Sequence, residues 1–589
     1  MAFIIISHRI TESHACGARA RIIIIATMTL RMRRLPLRPQ PHRVDARSLA
    51  AFRILLSLYI LHDIYRRLEH GRLSLAWYYS ESANNGYFLP PILDPMDSPH
   101  GSPVHKLWFY RGSPQLQIAI FTITALLTVL FGIGFHCQTT SILLWLFMNG
   151  IQNRSPHLAD GSDLYLRNML LWCTVCPIGR VWSYDAISKS RGMSRVASIH
   201  KKDDDYNQEG THVSASRQND QDNPYVTQSI GSLGCTLQVG LMYYGAVYRR
   251  FAGRMWMWPD LTAVFYVMNN GFATRQWAAD LIRGHPQLSR YMTAAAMIAE
   301  LTCPAACLLA SCDGNSWRHI PAILLMLFHL SLFACMRLFN WQFMSILCCV
   351  IFIPSNVWDR LQLKAPTPKT QDTVGNKSLG GKVRKAFSSF FLFYMAYNWC
   401  GERRWIAKHD NGDIGEFLRF NQNWLMYGPD VSRTTMATLI TGKVQENKSE
   451  GDNSTDSNLE PRRLDILKAI KDNEWGGKSE IDRSTYMFMR YEETPGDMAA
   501  RFPSWRWEVS LKDWVKERVK PRFMTPARRS ERLGHVLCVV ANDARKEHAE
   551  RITHVELAFW SMRTVDFGKA SMEHRFDRLQ DDLVVEVEC

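Results

Sequence analysis

The sequence predicts an α-helical multi-pass membrane domain followed by a polar C-terminal domain, on the strength of two observations. Apolar blocks recur through residues 48–400, whereas residues 401–589 are charged and contain no block long enough to span a bilayer. Short basic clusters lie beside the apolar blocks, as in the cytoplasmic loops of membrane proteins. The mean hydropathy of the chain, −0.18, is slightly negative because it averages these two unlike parts.

The apolar blocks predict about nine helices. Each block approaches the ~20 residues that an α-helix needs to cross ~30 Å of hydrocarbon. The blocks lie at residues 48–65, 116–135, 139–152, 163–178, 230–250, 290–311, 319–337, 340–356 and 386–399.

Polar stretches flank and interrupt the two domains. Residues 1–47 are rich in Arg and form a targeting segment, a cytoplasmic tail, or a misassigned start with Met28 as the initiator. In that last case residues 1–27 do not belong to the mature protein. Residues 189–228, within the membrane domain, and 445–463, within the C-terminal domain, have the composition of disordered insertions.

The formal net charge of +15 is assigned to membrane topology and not to nucleic-acid binding, because the basic residues flank apolar blocks. With nine crossings, the basic tail and the basic connections at 180–202 and 360–385 all fall on the cytoplasmic side. The domain 401–589 is then non-cytoplasmic. Sequons at Asn447 and Asn453 fit that side, which indicates the endomembrane system or secretory pathway.

Several ionisable residues lie within or at the ends of the apolar blocks, where each costs at least ~2.5–3.5 kcal/mol and needs a reason. Glu300 and His329 lie nearest the middle of the membrane and are candidate catalytic residues. Arg53 lies near the cytoplasmic end, where snorkelling explains it. The candidate ligand-binding residues gather toward the non-cytoplasmic face; they are Asp160, Asp163, Arg167, Arg249, Arg250 and Arg337.

Two interpretations of these charges stay open. They form structural pairs, such as Asp163 with Arg167 on one helix face, or they line a shared polar cavity. Fourteen cysteines include no pair of CxxC motifs at zinc spacing, so no metal site is expected. The single pair Cys173–Cys176 is read as apolar packing and not as a quinone-reducing dithiol.

Short motifs occur in a fixed order over residues 48–430. They are Trp77–Pro90, Asn153–Pro156 with Asp160–Asp163, Pro177–Gly179 with Trp182–Asp185, Tyr243–Gly245 with Arg249, Arg250 and Trp256, Glu300 with Pro304 and His329, and Asn421–Pro429. In this order they resemble the horizontally transferred transmembrane domain (HTTM) family, related to vitamin K-dependent gamma-carboxylase. The resemblance implies the helical membrane domain and a smaller α+β C-terminal domain, with Thr553–Phe567 as its closing strand.

The resemblance also implies a chemistry, which one substitution places in doubt. The carboxylase acts with vitamin K hydroquinone, and its proposed base is a Lys of a Lys-Lys pair, at the positions of Arg249 and Arg250. An Arg keeps its proton and is no general base, but it binds carboxylate or phosphate with bidentate geometry.

We therefore expect a cationic cavity in the lipid bilayer that binds an anionic or quinone-like ligand, or a partner peptide, without standard carboxylase chemistry. The alternative is a carboxylase-like enzyme that uses Glu300 and His329. A transporter is disfavoured because the sequence has no inverted halves.

Overall fold

A computed structural model gives the structure of the chain, and it describes two groups of segments. In the helical part these are residues 43–69, 114–154, 160–188, 190, 223–269, 273–310, 312, 316–363 and 379–406. After it they are residues 418, 420, 422, 424, 426–446, 462–475, 479–482, 526–545, 550–567, 569 and 576–589.

Helices dominate the described residues. Up to residue 402 they are α1 (Ala46–Leu68), α2 (Pro114–Ile133), α3 (Cys137–Arg154), α4 (Gly161–Cys173), α5 (Ile230–Arg250), α6 (Ala263–Asn269), α7 (Gln276–Gly284), α8 (Pro286–Leu309), α9 (His319–Cys335), α10 (Phe339–Cys349), α11 (Ser355–Arg360) and α12 (Leu379–Glu402). A 3-10 turn, Val350–Phe352, extends α10. Two more helices follow in the C-terminal part, α13 (Ile466–Asp472) and α14 (Pro526–Ala544).

Each predicted apolar block contains a helix, but the helices differ in length and hydropathy. Within the described residues, three helices are long and apolar enough to cross a membrane: Ala46–Leu68, Gln115–Ile133 and Pro286–Leu309. His319–Cys335 and Asn340–Phe352 are apolar but shorter. Local caps fix several of the helix starts. Asp45 accepts a hydrogen bond from the Arg47 amide at the start of α1, and Ser229 forms a capping box with Ser232 at the start of α5.

Contacts at opposite ends of α1 show how the helices alternate in direction. At its start, Arg47 pairs with Asp359 at 2.7 Å, and Ser48 Oγ donates to the Ile353 carbonyl at 2.6 Å. At its end, Arg67 pairs with Asp163 at the start of α4, at 2.6 Å. We call these two ends of the helical layer the Arg47 side and the Arg67 side. Because α4 begins where α1 ends, the two helices are antiparallel.

The Arg47 side also holds a small two-stranded sheet. Strand β1 (Arg43–Asp45) pairs antiparallel with β2 (Val226–Gln228), directly before α5. The end of the predicted tail (1–47) and the end of the predicted loop (189–228) are therefore parts of the fold; residues 1–42 and most of 189–222 lie outside the described residues. The strand pair places the start of α5 on the Arg47 side, so its ~30 Å length carries Arg249 and Arg250 to the Arg67 side.

The sequence suggested that Arg53 snorkels toward the membrane surface, and this was wrong. Arg53 is a buried cross-link within the helical layer. Its side chain is 0% exposed. The guanidinium donates to the carbonyls of Gly132, at 3.3 Å, Ile178, at 2.8 Å, and Trp182. These carbonyls lie where α2 ends and in the segment that follows α4, so one side chain joins three parts of the chain.

The C-terminal part contains a five-stranded antiparallel sheet of order β5-β4-β3-β6-β7. The register pairs β3 and β6 over almost their whole lengths, and β7 then pairs along the other edge of β6. The predicted closing strand, Thr553–Phe567, lies mostly in β6. Because β7 pairs with the outer edge of β6, β6 is an inner strand of the sheet. The strands are β3 (Thr434–Glu446), β4 (Arg462–Asp465), β5 (Glu480–Ile481), β6 (Glu550–Thr564) and β7 (Phe576–Glu588).

One face of this sheet is covered by α14 and closed by a disulfide. Val555, Leu557 and Phe559 alternate along β6 and are buried, as the sequence predicted. Cys538 of α14 forms a disulfide with Cys589, directly after β7. The sequence analysis did not find this bond. The free cysteines of the described residues all lie between Cys137 and Cys400, in the helical part.

We predict that Arg53→Met lowers the thermal stability of the protein strongly, because several buried carbonyls lose their charged donor. Hydrogen bonds to charged groups contribute ~1.5–3 kcal/mol each, so a loss of about 3 kcal/mol or more is expected. Thermal unfolding in detergent measures it. Leu58→Ala on the same helix is the matched control, since Leu58 is 56% exposed. Equal melting temperatures for the two variants would show that Arg53 is not a cross-link.

Candidate functional site

The centre of the candidate site is an ion pair between two helices. Arg250, in the last turn of α5, donates through Nη1 to Glu300 Oε2 on α8, and both side chains are almost fully buried. The Arg250 Nε also donates to the Met426 carbonyl at 3.1 Å, and its guanidinium lies 4.2 Å from the centre of the Trp256 ring. Two of the predicted site residues therefore meet, and Arg250 already has partners on three sides.

The segment around residues 422–430 seals this pair from one side. Trp256 Nε1 donates to the Tyr427 carbonyl at 3.0 Å, and the Met255 amide donates to Asp430 at 2.9 Å. Deeper in the helices, Gln422 exchanges two amide hydrogen bonds with Gln238 of α5, at 2.9 and 3.0 Å. This segment, assigned by sequence to the C-terminal domain 401–589, therefore packs as part of the helical layer.

His329 does not bond to Glu300, its predicted catalytic partner. Its Nε2 lies 2.7 Å from the Tyr243 hydroxyl of α5, and its buried Nδ1 has no hydrogen-bond partner among the described residues. Tyr243 lies about two turns before Arg250 on α5. Tyr243 therefore contacts one of the two predicted catalytic residues, and it was not among the residues that the sequence predicted for the site.

Two further cations lie side by side beyond this pair. Arg249 donates to the Glu402 carbonyl at 3.0 Å, and Arg403 donates to the Trp399 carbonyl at 2.9 Å. A Cβ added to Gly245 would lie 2.8 Å from Arg403 Nη2, so Arg403 crosses α5 one turn before Arg249. Neither guanidinium has an ion-pair partner in the described part of the chain.

Arg403 is held between aromatic rings and is 8% exposed. Its guanidinium lies 3.6 Å from the centre of the Trp399 ring and 5.3 Å from that of Tyr248. Burial, and next the positive charge of Arg249, lowers the pKa of Arg403 to about 10, so it remains a cation at neutral pH. Its Nε has no hydrogen-bond partner among the described residues. Arg403 was not among the residues that the sequence predicted for the site, because it lies just past an apolar block.

Two of the other predicted ligand-binding residues, Asp163 and Arg167, lie in a separate polar network on the Arg67 side. Asp63 and Asp163 both accept from Arg67, at 2.7 and 2.6 Å. Gln152 links Asp163, at 3.0 Å, to Arg167, at 2.7 Å. Two carboxylates and two guanidinium groups balance, which favours a structural role for this network.

Asp160 and Arg337 also have local roles. Asp160 caps α4 and forms a capping box with Asp163. The Arg337 amide donates to the Ala273 carbonyl at 2.6 Å, and its half-buried side chain joins neither cluster.

The cysteine pair of the sequence lies apart from the candidate site, and the described residues hold no group arranged like a metal centre. Cys173 and Cys176 are free, buried thiols at the Arg47 side, away from Glu300 and Arg250. No group of three or more His, Cys, Asp or Glu side chains among the described residues is placed to hold a metal ion.

We predict that Arg250→Met and Glu300→Gln each lower the melting temperature, because each leaves the other group without its buried partner. Breaking a buried pair costs ~3–5 kcal/mol, whereas replacing both partners costs less than the sum. A double-mutant cycle measured by thermal unfolding tests this. Arg254→Met is the control, since the Arg254 side chain is 89% exposed in its pair with Asp260. Simple additivity of the two substitutions would contradict the pairing.

Comparison of the chain with family models, curated proteins and solved structures gave no match. The functional interpretation therefore rests on the residues and on the contacts described above.

Proposed function

We propose that this chain is a multi-pass membrane protein, related to the HTTM family, that binds an anionic ligand at its non-cytoplasmic face. The observation that carries the proposal is the pair Arg249 and Arg403. These are adjacent cations whose described partners are neutral carbonyls and aromatic rings. Neither guanidinium forms an ion pair with a described carboxylate, although the charge of Glu402 lies near Arg403, and two guanidinium groups present the donor geometry that carboxylates and phosphates accept.

The nine-crossing topology is supported by where the helix ends meet. The start of α1 contacts the end of α10 through Ser48 and Ile353, and its end contacts the start of α10 through Asp63 and Asn340. α5 begins beside β1 and ends beside the last residue of α12. This alternation is what successive crossings produce, and the positive-inside rule favours the Arg47 side, next to the basic tail, as the cytoplasmic side.

The disulfide supports the same orientation by separate chemistry. Disulfides persist in oxidising compartments and are rare in the cytosol. Cys538 and Cys589 are bonded to each other, while the described cysteines of the helical part are free. A C-terminal domain on the Arg67 side therefore fits the lumen of the secretory pathway.

The three arginines of the site have different contacts, and we assign them different roles. Arg250 is occupied by Glu300 and the Met426 carbonyl, so we assign it a positioning role. Arg249 and Arg403 keep unused donors and are the ligand-binding residues. The exposed Trp405 and Tyr248 beside Trp399 add aromatic faces that suit a quinone-like ring or a peptide side chain next to the anion.

A carboxylase-like enzyme is the second candidate, and one observation favours it. His329 keeps a buried ring nitrogen without a described partner, beside the Tyr243 hydroxyl. That arrangement suits a group that accepts or donates a proton. Against it, the positions of the family's lysine base are Arg249 and Arg250, and arginine cannot serve as that base. Under this alternative, vitamin K hydroquinone is the cofactor.

We predict that the C-terminal domain lies outside the cytoplasm, with the Cys538–Cys589 bond formed in cells. In sealed microsomes a C-terminal tag should resist protease until detergent is added. Thiol labelling should modify Cys538 only after reduction. A tag cleaved without detergent, or Cys538 labelled without reduction, would reverse the topology.

We predict that Arg249→Gln and Arg403→Gln each weaken binding of a fluorescein-labelled Glu-rich peptide by about tenfold or more, because each removes a charge-assisted hydrogen bond. Fluorescence anisotropy in detergent measures the affinity, which should fall with added salt. Arg254→Gln is the control for general charge.

His329→Ala separates the two candidate functions. It should leave peptide affinity unchanged if the chain only binds its ligand. Vitamin K-dependent incorporation of carbon dioxide into the same peptide, abolished by His329→Ala, would instead establish the enzyme. Equal peptide affinity for wild type and both arginine variants would remove Arg249 and Arg403 from the site.

A further inference from the structure

Arg318, on the Arg47 side of the helical layer, is a buried arginine with two guanidinium nitrogens that have no described partner. Arg318 directly precedes α9 on the Arg47 side and is 0% exposed. Its Nη1 donates to the Arg43 carbonyl at 3.1 Å, and its guanidinium lies 5.0 Å from the centre of the Phe352 ring. Among the described residues, its Nε and Nη2 have no hydrogen-bond partner and no carboxylate pairs with it.

The residues next to Arg318 also carry unused polar atoms. Ser316 Oγ accepts from the Arg318 amide at 3.1 Å, and the Ser316 carbonyl accepts from Asn356 Nδ2 at 3.1 Å. The Ser355 hydroxyl and Asn356 Oδ1 are buried and have no partner among the described residues. Donors from Arg318 and Ser355 and an acceptor from Asn356 thus belong to one small region.

The other buried arginines of this side show what Arg318 lacks. Arg47 pairs with Asp45, at 2.8 Å, and with Asp359, at 2.7 Å. Arg53 donates to three carbonyls. Burying a charge costs several kcal/mol, roughly, unless it is paired and fully hydrogen-bonded. Arg318 has one described neutral acceptor, so a bound anion is the economical explanation of its burial.

We propose that Arg318 and Ser355 bind a phosphate group at the cytoplasmic face, from a phospholipid headgroup or from inorganic phosphate. Guanidinium Nε and Nη2 form the fork that two phosphate oxygens accept, and the Ser355 hydroxyl supplies a third donor. Asn356 Oδ1 accepts from a protonated phosphate oxygen or from a headgroup ammonium.

The position of this site suits a ligand from the membrane surface. It lies where α9 begins and α10 has ended, at the end of the apolar helices, which is the level of lipid phosphates. His319 and Asn356 are half-buried, so the site lies one layer beneath the protein surface. It is distinct from the proposed Arg249 and Arg403 site, which lies at the other ends of the helices.

The test uses the full chain purified in detergent, with two separate measurements. Native mass spectrometry detects phospholipid that stays bound, and isothermal titration with inorganic phosphate measures binding of the free anion. Arg318→Gln should lower phosphate affinity, or phospholipid occupancy, by about tenfold or more. Arg318→Lys keeps the positive charge but loses the two-donor geometry of the guanidinium. Its phosphate affinity or phospholipid occupancy should lie between those of wild type and Arg318→Gln.

Arg360→Gln is the matched control, because Arg360 is an exposed arginine at the end of α11 on the same side. Ser355→Ala tests the site if Arg318→Gln does not fold, and it should weaken binding severalfold. Retained phospholipid identifies the headgroup as the source, and phosphate binding without retained lipid identifies the free anion. If wild-type protein binds neither, or if Arg318→Gln and Ser355→Ala bind as well as wild type, the proposal is wrong.

Discussion

The architecture of the helical part depends on how buried guanidinium groups obtain hydrogen-bond partners. An arginine between apolar helices cannot shed its proton, so the fold must surround it with acceptors. Arg53 receives backbone carbonyls, Arg67 receives two carboxylates, and Arg250 receives one carboxylate, one carbonyl and an aromatic face. Because those acceptors come from segments distant in sequence, each arginine fixes how two or more helices meet.

The exceptions are as informative as the satisfied groups. Arg403 and Arg318 are buried with unused donors, and they lie on opposite sides of the helical layer. The buried nitrogens of Arg53, Arg67 and Arg250 have hydrogen-bond partners, so the unused donors of Arg403 and Arg318 call for an explanation. Positions where the fold leaves such donors unused are the natural places to look for a ligand's negative charge. Both proposed binding sites rest on unused donors of buried guanidinium groups.

The sequence predicted the helices well because apolar blocks of this length leave the backbone few alternatives. It also predicted that Glu300 and Arg250 share a site. It could not assign partners, because partners come from other helices: Asp163 joins Arg67 of α1, and His329 joins Tyr243 of α5. Tyr243 and Gln238 carry no formal charge at neutral pH, so the pattern of charged residues within apolar blocks did not indicate them. The contacts of Gln422 and Trp424 with the helices were not predicted, because Trp and Gln side chains in a sequence give no sign of burial between helices.

The position of Cys538–Cys589 has a consequence for the sheet. β7 is an edge strand, and an edge strand that separates from its neighbour leaves a row of unpaired amides and carbonyls on β6. The disulfide attaches the end of β7 to α14, the helix that covers the sheet. The end of β7 therefore cannot leave the sheet without pulling α14 with it. The longest strand of the domain is thereby kept from pairing with strands of another molecule. A covalent bond at the rim of the domain thus acts as a safeguard against aggregation.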